Sequence, residues 1–151
     1  MYQHLQVSAP LTGTVKPKAV VSGITRTTGK AELVRAALDC IVYQISDVVN
    51  AMAEDSGIKV DELRVDGGPT KNGYLMQFQS DISQTEIKIP DAEELSVIGA
   101  GYLAGEAAGY YDPDDIYKAI TYNFFETKMQ EQERSEKVYG WNEAVKMLLN
   151  K

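Results

Sequence analysis

The chain has 151 residues, of which 44% are hydrophobic and 25% charged, and this is the size and composition of one domain with a packed core. Its net charge of −7 and pI of about 4.7 argue against a nucleic-acid-binding surface, because phosphate contacts need clustered Lys and Arg. No apolar run approaches the roughly 20 residues that cross a bilayer, and the single cysteine, Cys40, cannot form an internal disulfide. We therefore expect a cytoplasmic domain that binds neither nucleic acid nor a membrane.

The first predicted elements are a loop, a short strand and a long helix. Residues 1–18 contain prolines and little periodicity, which predicts a loop, and the apolar run at 19–24 predicts a short strand. The next segment predicts a helix of about 27 residues, capped by Thr27 or Thr28 and ended by Gly57. Its apolar residues recur at helical spacing, at Leu33, Ala37, Cys40, Ile41, Val48 and Met52.

Strands and helices alternate through the rest of the chain, which is typical of an α/β layer with parallel strands. Strands are predicted at 61–66 and 86–89, and helices at 72–83 and 94–111. A further helix is predicted in "DPDDIYKAITYN", which begins with Asp112 as the N-cap. The last helix is amphipathic, with apolar residues spaced three and four apart at Val138, Trp141, Val145 and Leu148.

The segment between the strand at 61–66 and the following helix carries paired glycines, Gly67 and Gly68, and then Asn72. In α/β sheets ligands collect outside the carboxyl ends of the strands, and glycines let the backbone come close to them. The N-terminus of a helix favours an anion, and an asparagine there offers both a donor and an acceptor. The pattern fits a nucleotide-binding loop, but it also fits a plain strand-to-helix turn capped by Asn72, and spacing alone favours the turn.

Other candidate sites have simpler structural explanations. The glycines of 99–105 lie in an alanine-rich helix pattern and fit close helix packing better than a phosphate loop. The acids of 112–115 suit a helix N-terminus better than a metal site. Cys40 lies on an apolar helix stripe, and His4, the only histidine, lies in the terminal segment. The residues taken alone indicate no catalytic group and no metal ligands.

Four segments resemble, in order, motifs of the FGGY family of carbohydrate kinases. "AVVSGITRTTGKAELVRAALD" (19–39) looks like the second signature of that family. "LRVDGGPTKNGYLMQFQSDI" (63–82) resembles the glycerol kinase branch, in which a strand, Asp-Gly-Gly, a spacer, Asn and Leu-Met-Gln follow one another. "VIGAGYLAG" (97–105) is similar to a helix of the same branch, and "KMQEQERSEKVYGWNEAVK" (128–146) looks like its terminal helix. The resemblance extends over about residues 19–147.

The resemblance implies an α/β fold of the ribonuclease H-like, actin-like ATPase type, with this chain as the C-terminal kinase domain that holds most of the ATP. Gly67 and Gly68 match the paired glycines that approach the nucleotide, and Asn72 matches the asparagine near the adenine. Residues 19–151 are expected to form a partial C-terminal domain without its opening antiparallel strands, behind a divergent segment at 1–18. Mg²⁺ is expected together with ATP in the complete enzyme.

Two functions remain open for this chain. The first is the ATP-binding part of a glycerol kinase-like enzyme, which phosphorylates glycerol or a related polyol. The second is a non-catalytic, truncated module that binds a nucleotide or another protein. Because the family's general-base aspartate and polyol pocket precede the matched region, we expect this chain to supply no catalytic residue and to be inactive alone.

The expected partners are a nucleotide, the missing N-terminal kinase domain and a second copy of the chain. Without the opening strands, the strand at 61–66 would expose an unpaired edge, and the long helix would leave apolar side chains in water. A two-fold dimer would cover both surfaces. Alternatively, residues 1–18 fold back, replace the missing strand and keep the chain monomeric.

Overall fold

The computed structural model describes residues 6–8, 20–91, 95–110, 112 and 120–149, and these ranges form an α/β structure. The predicted strands at 19–24, 61–66 and 86–89 are confirmed, as are the helices at 72–83 and 94–111 and the terminal helix. The strands are β1 (Gln6–Ser8), β2 (Val20–Ser22), β3 (Glu62–Arg64), β4 (Glu86–Pro90) and β5 (Tyr122–Phe125). The helices are α1 (Lys30–Ser56), α2 (Gly73–Ser83), α3 (Leu95–Ala107) and α4 (Glu131–Leu149).

The strands form two separate groups. β3, β4 and β5 make a three-stranded sheet in that order, whereas β1 and β2 make an antiparallel pair. β3 runs parallel to β4, with Leu63 opposite Ile87, but β5 runs antiparallel to β4, with Phe125 opposite Ile87. The prediction of parallel strands is therefore right for β3 and β4, whereas β2, the first predicted strand, pairs antiparallel with β1 in a separate group.

The sequence analysis does not predict β1 or β5. Tyr122 and Asn123, predicted at the end of a helix, belong to β5, and residues 113–119 of that predicted helix lie outside the described residues. Residues 6–8, predicted as loop, form β1 and supply an antiparallel partner for β2. Segments of three or four residues carry almost no periodicity of their own, so pairing with a neighbouring strand decides their structure.

Helix α1 ends where the sequence predicts, but its N-cap lies just after the two threonines that were expected to cap it. Gly57 terminates it with a φ of 68°, which confirms the predicted C-terminal glycine. The N-cap is Gly29, however, and its backbone N–H donates to the Glu32 carboxylate over 2.8 Å. The hydroxyl of Thr28 instead accepts from the backbone N–H of Thr25 at 2.9 Å, so it serves the preceding turn. Hydrogen bonds from the backbone N–H groups of Glu32 and Gly29 lower the pKa of the Glu32 carboxyl.

Three aromatic rings join three helices in the centre of the core. Tyr43 of α1 meets Phe78 of α2 edge-on, with ring centroids 5.7 Å apart, and stacks on Trp141 of α4 at 5.1 Å. Trp141 is 2% exposed, and its indole N–H donates to the Asp47 carboxylate over 2.8 Å. Burial of this indole confirms the predicted apolar face of α4. The same hydrophobic cluster reaches the sheet at Ile87, which is fully buried.

A buried carboxylate ties α2 to the segment between β5 and α4. Asp81 accepts hydrogen bonds from the backbone N–H groups of Lys128 at 2.7 Å and Met129 at 3.0 Å. The guanidinium of Arg134 donates to the backbone carbonyl of Ile82 over 2.9 Å. Because buried polar groups need partners, these bonds fix the start of α4 relative to α2.

Helix α3 is apolar on several sides, and part of its surface is uncovered. Val97 is 68% exposed and Leu103 is 69% exposed. Gly99 and Gly101 do lie in a helix, but an added Cβ at either would meet no atom within 4 Å, so they allow no close packing within the described structure. Gly105 is buried. Among the described residues, no helix combines the length and apolar character needed to cross a membrane.

We predict that Trp141→Ala lowers the free energy of unfolding by about 3–5 kcal/mol, because it removes a buried indole from between α1 and α4. Trp141→Phe keeps an aromatic ring against Tyr43 and loses the bond to Asp47, so we expect a cost of about 1–2 kcal/mol. Urea unfolding followed by circular dichroism measures both changes. Tyr139→Ala is the control, since Tyr139 is 66% exposed on the same helix and should change stability by less than about 0.5 kcal/mol.

Candidate functional site

The paired glycines lie where β3 and β4 end side by side. The backbone N–H of Val65 donates to the carbonyl of Lys88 over 3.0 Å, so the parallel pairing continues one residue past β3. Gly67 then has a φ of 92°, a backbone conformation that side chains with a Cβ rarely adopt. This glycine is therefore required by the turn itself. Gly68 has no such φ, and the turn alone does not explain it.

A short 3₁₀ helix, Gly68–Lys71, connects β3 to α2. The backbone N–H and the hydroxyl of Thr70 both donate to the carbonyl of Gly67, at 3.1 and 2.7 Å. The N–H of Asn72 donates to the carbonyl of Pro69 at 3.0 Å. These local bonds, together with the fixed φ of a proline, give the loop a defined shape without a ligand.

Asn72 is the N-cap of α2. Its side-chain oxygen accepts from the backbone N–H of Leu75 over 3.2 Å, and its backbone carbonyl accepts from Met76 over 3.1 Å. The structure thus contains the capped strand-to-helix turn that the sequence analysis weighed against a nucleotide loop. The cap uses the oxygen of the carboxamide, and the NH₂ group of the same side chain is a donor that the cap does not use.

A cleft of about 640 Å³ lies beside this loop, and we call it the loop cleft. An added Cβ at Gly68 or Gly73 would meet no protein atom within 4 Å, so both glycines border open space. The loop supplies polar groups on one side of the cleft, and the strands supply apolar side chains on the other. The residues that line the cleft include Gly67, Gly68, Thr70, Lys71, Ile89 and Phe124, together with the acidic residues Asp66 and Asp91. Room for a ligand, polar groups on one side and apolar groups on the other are common features of small-molecule sites.

The charged side chains on the strands below the cleft are paired with one another. The ammonium of Lys88 contacts the carboxylate of Glu62 and also that of Glu86, the latter at 3.2 Å. Arg64 bonds Glu62 over 2.6 Å and stacks over the ring of Tyr122, 5.6 Å from its centroid. Hydrogen bonds from Lys88 and then Arg64 lower the pKa of the Glu62 carboxyl. The ion pairs link β3 with β4, and Arg64 also contacts Tyr122 of β5. Exposed pairs of this kind add little stability, and they need no catalytic explanation.

The remaining candidate residues do not converge on the loop cleft. Cys40 is buried in the core and its sulfur accepts from the Gln44 amide over 2.9 Å, as predicted for a core thiol. Within the described residues no group of three or more His, Cys, Asp or Glu side chains is arranged to hold a metal ion. His4 and the acids at 114–115 lie outside the described residues.

Sequence reasoning missed the half of the cleft that β4 and β5 supply. Asp91 follows β4, and Asn123 and Phe124 come from β5, whose first residues were predicted as helix. The aromatic and polar run "TYNFF" was a usable signal, since it has the composition of a strand rather than of a helix.

Comparisons with known proteins agree with this architecture. A model of the C-terminal domain of the FGGY family of carbohydrate kinases matches residues 14–108. The glycerol kinase of Natranaerobius thermophilus is 45% identical over 129 residues, and that of Vibrio parahaemolyticus is 44% identical over 131 residues. Each alignment covers 85% of this chain but only 26% of the relative, so the chain spans about a quarter of their length.

A solved structure also supports the relationship to glycerol kinases. The crystal structure of Plasmodium falciparum glycerol kinase with ADP superposes with a TM-score of 0.77 and 36% identity, over 86% of this chain and 26% of that one. The family model covers more than half of the chain, and the fold is that of the actin-like ATPases to which these sugar kinases belong. The chain therefore belongs to the FGGY family of carbohydrate kinases and is a C-terminal domain of the glycerol kinase-like type.

Proposed function

We propose that this domain binds the nucleotide of a glycerol kinase-like enzyme at the loop cleft, through Gly67 and Gly68, which line the cleft, and through Asn72, which does not line it but lies next to it in the chain as the N-cap of α2. In the complete enzyme the bound ATP would phosphorylate glycerol or a related polyol. The observation that carries the proposal is the open space at Gly68, where an added Cβ would meet no protein atom within 4 Å although Gly68 lines the cleft. The related Plasmodium falciparum glycerol kinase structure contains ADP, which supports a nucleotide as the ligand.

The loop suits a nucleotide because its groups differ in chemistry across the cleft. The NH₂ group of Asn72 is a donor for a polar edge of a purine. The first backbone N–H groups of α2 lack acceptors within the helix and favour a polar or anionic group. Ile89 and Phe124 give the opposite wall an apolar surface for a planar base. The two glycines let the ligand approach the backbone between these walls.

Magnesium would enter this site with the phosphates. Mg²⁺ neutralises phosphate charge during phosphoryl transfer and is often held by one or two carboxylates together with phosphate oxygens. Asp66 and Asp91 are the carboxylates at the loop cleft, and the described residues offer no set of three. We therefore assign no metal ligand to this chain, and propose that the rest of the kinase supplies the protein ligands of the ion.

The residues of this chain correspond to one part of a kinase. It spans 26% of the length of its relatives and matches a C-terminal domain, so a preceding kinase domain would supply the sugar pocket and the catalytic base. We propose that the chain acts with that domain in the cytoplasm. As an isolated piece it would be a nucleotide-binding module without catalytic activity.

We expect ATP to bind the isolated chain weakly, with a dissociation constant in the high micromolar to millimolar range as an order of magnitude. Gly68→Val should raise this constant at least about tenfold, because its side chain would occupy the space meant for the ligand. Amide chemical shifts followed during an ATP titration measure the affinity and locate the site. Gly101→Val is the matched control, since Gly101 also borders open space but lies on α3. Shifts that spare residues 67–72 while others move would refute the site.

Variants of Asn72 separate capping from ligand contact. Asn72→Ala should destabilise the chain by about 0.5–2 kcal/mol, because the bond to the Leu75 N–H is lost. Asn72→Ser keeps a capping oxygen and should retain most of the stability, but it removes the NH₂ donor. We expect both variants to weaken ATP binding. Full affinity in Asn72→Ser would show that this side chain serves only as a cap.

We expect no phosphorylation of glycerol by the isolated chain. Loss of a general base costs about 10²–10⁴-fold in rate, and loss of the acceptor's positioning costs more. A coupled ADP-release assay tests this, first with the chain alone and then with the preceding domain of a related glycerol kinase added. Turnover by the chain alone near that of a complete kinase, with contaminating kinase excluded by a Gly68→Val preparation, would contradict the expectation.

A further inference from the structure

Tyr74 links the beginning of α2 to α1. It lies two residues after Asn72, the N-cap of α2, and its hydroxyl donates to the carboxylate of Asp39 on α1 over 2.5 Å. The carboxylate of Asp39 also lies 3.9 Å from the guanidinium of Arg35, one turn earlier on α1. We call Tyr74, Asp39 and Arg35 the Tyr74 cluster. It connects the first turn after the glycine loop with a helix that lies outside the loop cleft.

The ring of Tyr74 makes contacts that do not involve its hydroxyl. It stacks on Phe78, one turn further along α2, with ring centroids 5.8 Å apart and an angle of 9° between the planes. The guanidinium of Arg35 lies over the same ring, 5.0 Å from its centroid. A phenylalanine at this position would make both contacts. What the hydroxyl adds is one hydrogen bond with a defined direction.

The electrostatic surroundings keep the hydroxyl of Tyr74 protonated, as a donor must be. Partial burial, and then the hydrogen bond to Asp39, raise the pKa of Tyr74 above its usual value, although Arg35 opposes the shift. The side chain of Asp39 is 18% exposed, whereas that of Arg35 is 60% exposed. Because water screens the arginine more, the bond from Tyr74 is the stronger of these two contacts of the carboxylate.

The loop before Tyr74 is not buried in the core. It begins with Gly67 and Gly68 and is followed by Gly73, and every residue of 66–73 is exposed or half-buried. Glycine leaves the backbone more conformational freedom than any other residue. The hydrogen bonds described above for this loop join residues within 67–76, so they shape it without attaching it to α1. The position of the loop beside the cleft therefore depends on how the first turn of α2 is held.

Two side chains hold that first turn in different ways. Leu75 is 6% exposed and packs into the hydrophobic core, which fixes the distance of the turn from the core. Apolar packing is not directional, so it restricts the rotation of the turn about the helix axis only weakly. The bond from Tyr74 to Asp39 is directional. Rotation of the turn would move the amide of Asn72, two residues away, relative to the loop cleft.

We propose that Tyr74 and Asp39 are positioning residues for the nucleotide loop. Their hydrogen bond holds the first turn of α2 in the rotation that turns the NH₂ group of Asn72 and the first backbone N–H groups of the helix towards the nucleotide. Neither residue lines the loop cleft. Tyr74 acts through Asn72, and Asp39 acts through Tyr74. The inference rests on the proposed nucleotide site and adds to it a pair of residues outside the cleft that sets its affinity.

An ATP titration of the full 151-residue chain, followed by amide chemical shifts, tests the proposal. Tyr74→Phe keeps the ring and removes only the hydroxyl. We expect it to raise the dissociation constant about three- to tenfold, which is the effect of one net hydrogen bond. Tyr139→Phe is the matched control, since it removes a hydroxyl from an exposed tyrosine of α4 and should leave the constant unchanged. Unchanged affinity in Tyr74→Phe would overturn the proposal.

Variants of Asp39 separate the hydrogen bond from the negative charge. Asp39→Asn keeps an oxygen that accepts from Tyr74 and should weaken ATP binding only about twofold, because a neutral acceptor forms a weaker bond. Asp39→Ala should weaken binding as much as Tyr74→Phe. The double variant should bind no more weakly than either single one, since both remove the same bond. Additive losses in the double variant, or equal losses in Asp39→Asn and Asp39→Ala, would contradict the proposed pair.

Hydrogen exchange without ATP distinguishes failure of this inference from failure of the nucleotide site. The amide of Leu75 donates to the side chain of Asn72, and Tyr74→Phe should speed its exchange about three- to tenfold while the amides of α4 remain unchanged. Circular dichroism confirms that the variant is folded. Faster exchange by the same factor in α4 would indicate a global loss of stability and would overturn the positioning role. If ATP shifts no amide of 67–72 in the unchanged chain but the exchange of Leu75 responds as expected, the nucleotide site is refuted and the control of the loop by Tyr74 stands.

Discussion

Packing of Tyr43 between Phe78 and Trp141 is the interaction on which the rest of the structure depends. The three rings come from α1, α2 and α4, so one contact sets the relative positions of three helices that are distant in sequence. Once α2 is fixed against α1, its N-terminus and the loop before it are held at the ends of β3 and β4. Asp81 adds the second constraint, because it binds the backbone just before α4. The loop cleft is thus shaped by packing that lies outside it.

The two interpretations of the glycine loop, a capped turn and a nucleotide site, are compatible. Gly67 is required by its positive φ, and the oxygen of Asn72 is used by the cap, so both residues would be needed in a turn without a ligand. Gly68 differs, because neither its φ nor a close neighbour requires a glycine there. The nucleotide that we propose for the cleft would account for its lack of a side chain. Gly68 is therefore the residue of this loop whose identity the turn alone does not explain.

Helix α1 has apolar residues on two faces, of which one is buried in the core and the other is exposed. A helix that packs on a core by one face has no need of apolar residues on the other, where water favours polar side chains. The inner face of α1 contacts α2 and includes Tyr43, whereas its other side exposes the apolar residues Val34, Ile41, Ile45, Val48 and Met52. α3, with exposed Val97 and Leu103, is a second such surface, and the chain spans only a quarter of the length of its relatives.

The sequence by itself determined the elements that are long or that have clear capping and turn residues at their ends. The 27 residues of α1, its end at Gly57, the apolar face of α4 and the strand–glycine–helix order around Gly67 all follow from local periodicity and turn chemistry. Tertiary structure alone decided β1 and β5, because strands of three and four residues gain their hydrogen bonds only from a partner strand distant in the chain. It also decided the far wall of the cleft, which comes from β4 and β5. The cap at Gly29 is local, by contrast: its N–H donates to the carboxylate of Glu32, three residues later, and the sequence analysis missed it because the two preceding threonines are commoner cap residues. Local patterns determine which secondary structure a segment can form. Contacts between distant segments determine which strands pair, and therefore where a cleft remains between them.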